Sequence, residues 1–218
     1  MSNLTRSLLL AAALLGPGAS FAATPAQLAD FYLAAQLDDP ASVRKLLGLI
    51  GNPNGRDPVS GETALILALR EEAHRVVPVL LDDPAIDLEA TAINGNTALM
   101  MAAFKRDTAA AAALIGKGAH INRSGWNALH YAAASGAADI VRLLVAHKAE
   151  IDARAPYGMT ALMLAAREGQ QDAVHALLLL GADATLKNSE DQTALQIAQR
   201  ADKERIVELI RAQGRARP

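Results

Sequence analysis

Five histidines, His74, His120, His130, His147 and His175, are the first candidates for metal binding or acid–base work. No two of them stand at an H-x-x-x-H spacing, which would set two imidazoles on one face of a helix. His120, His147 and His175 recur at similar intervals and would share a ridge in a repeating chain, but scattered surface histidines account for them equally well. Ser124-Gly125-Trp126 and Ser135-Gly136 lack the G-x-S-x-G frame of a nucleophile elbow, and no P-loop or G-x-G-x-x-G segment occurs. Glu71/Glu72 and Asp82/Asp83 are adjacent acids that read as solvated helix-end charges. Met100, Met101, Met159 and Met163 carry oxidisable thioethers, and core filling explains them. With no cysteine there is no thiolate nucleophile, disulfide or Cys-ligated zinc. No catalytic residue, metal site or cofactor is therefore expected, and the chain does not read as an enzyme.

What these residues sit on is clearer. The chain has 218 residues, 51% of them hydrophobic and only 3% aromatic. An Ala/Leu-rich, ring-poor composition fits thin helices in close contact. A net charge of −2, from 21 basic and 23 acidic residues, carries no nucleic-acid footprint. The basic group Arg211, Arg215 and Arg217 has no interleaved rings and reads as a solvated tail.

Residues 1–22 read as a Sec-type signal peptide. Arg6 is the positive end, Ser7 to Leu15 a short apolar run, Gly16-Pro17-Gly18 a helix break, and Ser20-Phe21-Ala22 a small-residue cleavage site. A bilayer span needs about 20 apolar residues, so no membrane insertion is expected after cleavage behind Ala22. The expectation is a soluble, exported, periplasmic protein.

The strongest signal is self-similarity. Gly61-Glu-Thr-Ala-Leu65, Gly95-Asn-Thr-Ala-Leu99, Gly125-Trp-Asn-Ala-Leu129, Gly158-Met-Thr-Ala-Leu162 and Asp191-Gln-Thr-Ala-Leu195 start 34, 30, 33 and 33 residues apart. Small residues follow each Leu (Ala68, Ala102/Ala103, Ala132/Ala133, Ala165/Ala166, Ala198), then a second apolar run. Each unit reads as a turn at positive φ, a Thr or Asn helix N-cap, a first helix with an inward Leu/Ala face, and an antiparallel second helix. The predicted boundaries are a degenerate N-terminal capping repeat over 23–59, repeats with their C-terminal cap over 60–213, and a flexible tail over 214–218. The 30-residue interval predicts a shortened finger around Asn122 to Gly125, leaving a notch beside the sole Trp.

The motifs Asn127-Ala-Leu-His-Tyr-Ala-Ala133, Gly181-Ala-Asp183, Ala149-Glu-Ile-Asp-Ala153 and Gly118-Ala-His-Ile-Asn122 closely resemble the ankyrin repeat. The resemblance implies an all-α solenoid of about six helix-turn-helix units with atypical ends. The motif Pro is Ala throughout, and the motif His survives only at His130, so its hydrogen bonds should be partly missing elsewhere. The family binds proteins on a concave face of finger tips and first helices. Carried onto this chain, that face implies Trp126, Tyr157, Phe104, Met159, Asn96, Lys105, Arg167, Glu168 and Arg70 as partner-binding residues of a monomer, the exposed rings being the hot-spot element. Likeness to exported bacterial members implies a protein partner in the periplasm. Two contexts follow: support of a peroxide-defence enzyme such as a catalase, or immunity against a periplasm-acting toxin or effector enzyme. A hydrolase with a groove site is the remaining, weakest alternative.

Overall fold

The computed structural model describes residues 23–216; the expected signal peptide lies outside the described residues. Within them the chain is helical, in six consecutive pairs: α1 (Pro25–Gln36) with α2 (Pro40–Ile50), α3 (Ala64–Arg70) with α4 (Val76–Leu81), α5 (Ala98–Phe104) with α6 (Thr108–Gly116), α7 (Ala128–Ser135) with α8 (Ala138–Ala146), α9 (Ala161–Glu168) with α10 (Gln171–Leu179), and α11 (Ala194–Arg200) with α12 (Glu204–Ala216). The predicted all-α stack is what forms, with each first helix beside the next along one layer. The last helix continues past residue 213, so no break separates the end of the stack from the start of the predicted tail.

Each first helix begins at its cap. Thr63, Thr97, Asn127, Thr160 and Thr193 hold extended backbone, and their side-chain oxygens accept from the N–H of Ile66, Met100, His130, Met163 and Gln196. Each such cap stabilises a helix of this kind by about 1 kcal/mol. The helix then buries its Leu: Leu65, Leu99, Leu129 and Leu162 are all fully enclosed. The paired alanines Ala102/Ala103, Ala132/Ala133 and Ala165/Ala166 have no exposed surface. A methyl is the largest group that fits there, which is why the composition holds so much Ala and so few rings.

Every first helix hands over to its second through one residue at positive φ: Asp38, Glu72, Arg106, Gly136, Gly169 and Asp202. Glycine is the unstrained choice, and at Gly136 it has a second reason. A Cβ there would stand 2.8 Å from Cδ of Gln170, whose amide donates to Ala134 O across the repeat boundary.

The ends differ. At the C-terminal end α12 buries Ile206, Val207 and Ile210 and exposes Glu204, Arg205, Glu208 and Arg211, the wet outer face that a stack end calls for. The N-terminal pair departs from that expectation: Phe31, Val43 and Ile50 turn inward, while Leu33, Leu37 and Leu49 stand in solvent.

Candidate protein-binding face

Between pairs the chain projects fingers toward the face shared with the first helices. Four fingers are closed at the base by a backbone bond: Asp57 N–H to Glu62 O, Ala92 to Asn96, Ala155 to Met159 and Asn188 to Gln192, at 2.8–3.0 Å. The segment from Asn122 to Trp126 has no such pair among the described residues, as a finger shortened by three or four residues must.

Trp126 stands at this shortened finger, 40% exposed. Its ring meets His130 edge-on at 5.8 Å between centroids and Tyr131 at 5.9 Å and 53°. Tyr131 in turn meets Phe104 of the preceding repeat edge-on at 6.3 Å. These are favourable aromatic geometries. Phe104 is 55% exposed, so the three rings form a continuous patch open on one side. Trp126 thus both packs at the short finger and presents surface. The Tyr131 hydroxyl donates to Asn96 Oδ1 at 2.7 Å, and the Ser135 hydroxyl donates to Ala103 O at 2.9 Å. Both bonds tie the third and fourth repeats together under the patch.

Tyr131 was not among the expected contacts. Its column in the other repeats holds Leu67, Met101, Leu164 and Ile197, all buried, so it counts as core by position. The available signal was a polar-tipped ring in an otherwise apolar column.

His130 supports the patch from beneath. It is fully buried, its Nδ1 accepting from Asn127 N–H at 3.3 Å and its Nε2 facing Ala153 O at 3.0 Å. Burial pushes its pKa down, against the opposing pull of the Ala153 and Met159 backbone bonds. With both nitrogens engaged it is a structural residue, not an available base. The expected loss of these bonds elsewhere is only partial. Gln196 Oε1 accepts from Thr193 N–H at 2.9 Å and Met163 Sδ from Thr160 N–H at 3.5 Å, each replacing the inner arm.

The remaining candidates fall into two groups. Tyr157 is 80% exposed at the tip of the next finger, in a turn where both Tyr157 (φ 61°) and Gly158 (φ 68°) are left-handed. Such a turn favours Asn, Asp or Gly at its first central position, so a tyrosine there is held in a strained conformation. Ser189 N–H and Oγ both bond Tyr157 O at 2.9 Å and fix the tip. Met159 is a correction: it is not an exposed contact. It is 8% exposed because the base of its finger folds it inward, where its sulfur accepts from Asn188 Nδ2 at 3.6 Å. It floors a cleft of about 270 Å³ walled by Arg167, Asn188, Glu190, Ile197 and Arg200.

The charged candidates are paired. Arg70 Nη1 lies 2.7 Å from Glu62 Oε2, off the hydrogen-bonding direction, and its Nη2 3.0 Å from Glu71. Lys105 reaches Glu72 at 2.6 Å, and Arg167 reaches Glu168 at 2.9 Å. Burial raises the Glu62 pKa despite Arg70, and the side-chain bond from Lys105 lowers that of Glu72. His120 approaches Glu89 at 3.6 Å, while no group of three or more metal-ligating side chains converges among the described residues.

A model described as ankyrin repeats (3 copies) matches residues 31–124 and 113–188. The ankyrin repeat domain of Bcl-3, titled a unique member of the IkappaB protein family, is 30% identical. That match covers 83% of this chain and 81% of the other, with a TM-score of 0.70. An ankyrin repeat domain from Acinetobacter baumannii AYE is 26% identical over 84% of this chain and 97% of the other, with a TM-score of 0.71. Capped first helices, alanine-lined contacts and a finger-bearing face agree with both matches, and the chain belongs to the ankyrin-repeat family.

Proposed function

We propose that this chain is an exported protein-binding module that engages a periplasmic partner through the face of finger tips and first helices, one groove per monomer. The observation that carries the reading is the open patch of Phe104, Tyr131 and Trp126. In a chain with 3% aromatic residues, three rings joined through Tyr131 on one face are a concentration of the residue types that dominate binding energy. The strained, exposed Tyr157 supports it, since strain held at a surface tip brings no packing in return.

Export rests on the Arg6, Ser7–Leu15 and Ser20-Phe21-Ala22 pattern of the sequence. A peroxide-defence enzyme and a toxin would each fit such a groove, and the activity of the captured protein separates the two contexts. The test is expression of the chain with its own leader in a Gram-negative host, followed by fractionation, N-terminal sequencing and capture of bound protein. A periplasmic chain beginning at Ala23 that retains a partner supports the proposal. A chain kept in the cytoplasm at full length contradicts the export half of it.

A further inference from the structure

The two ends of the stack show different chemistry to solvent. The exposed side of α12 carries Glu204, Arg205, Glu208 and Arg211, while that of α1 carries Ala29, Leu33 and, just past its end, Leu37. Five residues before the handover, Leu67, Met101, Leu164 and Ile197 are buried and Tyr131 is half-buried, yet Leu33 in the same place is 51% exposed. α1 opens the layer, and no earlier helix lies against it among the described residues. One residue before the handover, the later repeats hold Glu71, Lys105, Ser135, Glu168 and Ala201. Leu37, 70% exposed, is apolar where its counterparts are polar or small.

Beside these leucines a cleft of about 310 Å³ runs between α1 and α2, lined by Ala34 and Leu46. Asp30 stands on its α1 wall and Lys45 on its α2 wall, and neither has an ion-pair partner among the described residues. Asp39, the other charge in the cleft, is engaged as the cap of α2.

This surface is complementary to itself. Ala29, Leu33 and Leu37 follow at four-residue intervals and lie along one side of α1. Two copies that meet about a two-fold axis at Leu33, with their α1 helices antiparallel, set Leu33 against Leu33. Each Leu37 then covers the small Ala29 of the other copy. The same axis lets Asp30 of one copy face Lys45 of the other, twice over. A head-to-tail arrangement would instead press the leucines against the charged side of α12.

We infer that the occupant of this end is a second copy of the chain, and that two copies pair head to head through α1 and α2 into a closed dimer. The inference goes beyond the binding-face reading, does not depend on it, and replaces the monomer expected from the sequence. Each copy keeps its own ring patch on the third and fourth repeats, so the pair presents two patches to a partner. One helix pair from each copy makes a small contact, below about 1,200 Å² in total. Pairing is therefore concentration-dependent, with a Kd on the order of micromolar.

The test is sedimentation equilibrium of the chain as purified from the cell, at about 1 to 300 µM. The native chain should pass from one mass to twice that mass and no further. Leu37→Glu should weaken pairing about tenfold with an unchanged circular dichroism spectrum, because the side chain is exposed. Asp30→Lys and Lys45→Asp should each weaken it severalfold, and the two together should restore it. Trp126→Ala should pair like the native chain. A chain that stays monomeric throughout overturns the inference, whether residues 1–22 or another protein then covers the leucines. A monomeric chain whose capture of a protein from extract falls in Leu37→Glu assigns the face to that protein instead. Mass growth beyond two copies, or a dimer indifferent to Leu37→Glu, overturns the inference as well.

Discussion

The Tyr131 hydroxyl donates to Asn96 Oδ1 at 2.7 Å, across the boundary between two repeats. The bond joins a first helix to the finger base of the preceding unit, directly under the exposed rings. Replacing Tyr131 with Phe keeps the ring and frees the amide. Stability should fall by about 1 kcal/mol, read as a lower urea midpoint at unchanged slope. Trp126 fluorescence should keep its native position, because the ring contact survives.

Tyr157 should be a residue whose replacement improves the fold and harms the function. Its φ of 61° suits Asn far better than Tyr, and its ring is 80% exposed. Tyr157→Asn is expected to stabilise the chain by about 0.5–1 kcal/mol while weakening capture of the partner. A loss of stability in thermal melts would show that the ring is held by packing after all.

The strained handover at Arg106 (φ 60°) gives a matched control, since Arg106 lines a cleft with Thr108, Asp139, Arg142 and His175 that includes none of the three rings. The equivalent position is glycine at Gly136 and Gly169. Arg106→Gly should therefore gain up to about 1 kcal/mol, with partner binding unchanged.

His130 makes stability depend on pH. Its folded-state pKa is depressed, chiefly by burial, so the unfolded chain binds the proton more readily than the folded one. Its contribution is complete above the unfolded pKa of about 6.5. As pH falls below that value toward the folded pKa, the unfolded state gains protons first and stability is lost. His130→Gln should remove this component of the acid-side slope while keeping a cap, because Gln196 makes the same inner bond at Thr193. Urea midpoints at pH 7.5, 6.5 and 5.5 for both proteins measure the difference.

The stack itself should be sensitive at its inward leucines. Leu129→Ala removes a core side chain only 1% exposed, and should cost about 2–5 kcal/mol. Trp126→Ala, at 40% exposure, should leave the helical circular dichroism spectrum intact.

The helix pairs were legible in the sequence because each is announced by a local rule: a Thr or Asn cap, an inward Leu, a small pair, a turn. The shortened finger was legible too, since an interval of 30 among 33 and 34 has to be taken from some connection. What could not be read was the meeting of side chains across repeats. Phe104 on α5 meets Tyr131 on α7, and Trp126 at the short finger meets the same ring, distance relations that no spacing encodes. Met159 was misplaced for the converse reason. It shares a column with Trp126, yet its finger is closed by the bond from Ala155 to Met159 O and turns the side chain inward. The exposed leucines of α1 and its C-terminal cap, Leu33 and Leu37, escaped notice because the first repeat lacks the motif that fixes its register.

The ring patch of Phe104, Tyr131 and Trp126 is the proposed partner-binding surface. The most direct measurement is capture from periplasmic extract on the immobilised native chain, Trp126→Ala and Arg106→Gly, with each bound protein quantified by mass spectrometry. One partner should be retained equally by the native chain and Arg106→Gly and reduced at least tenfold on folded Trp126→Ala. Equal retention of the same partner by all three proteins would contradict it.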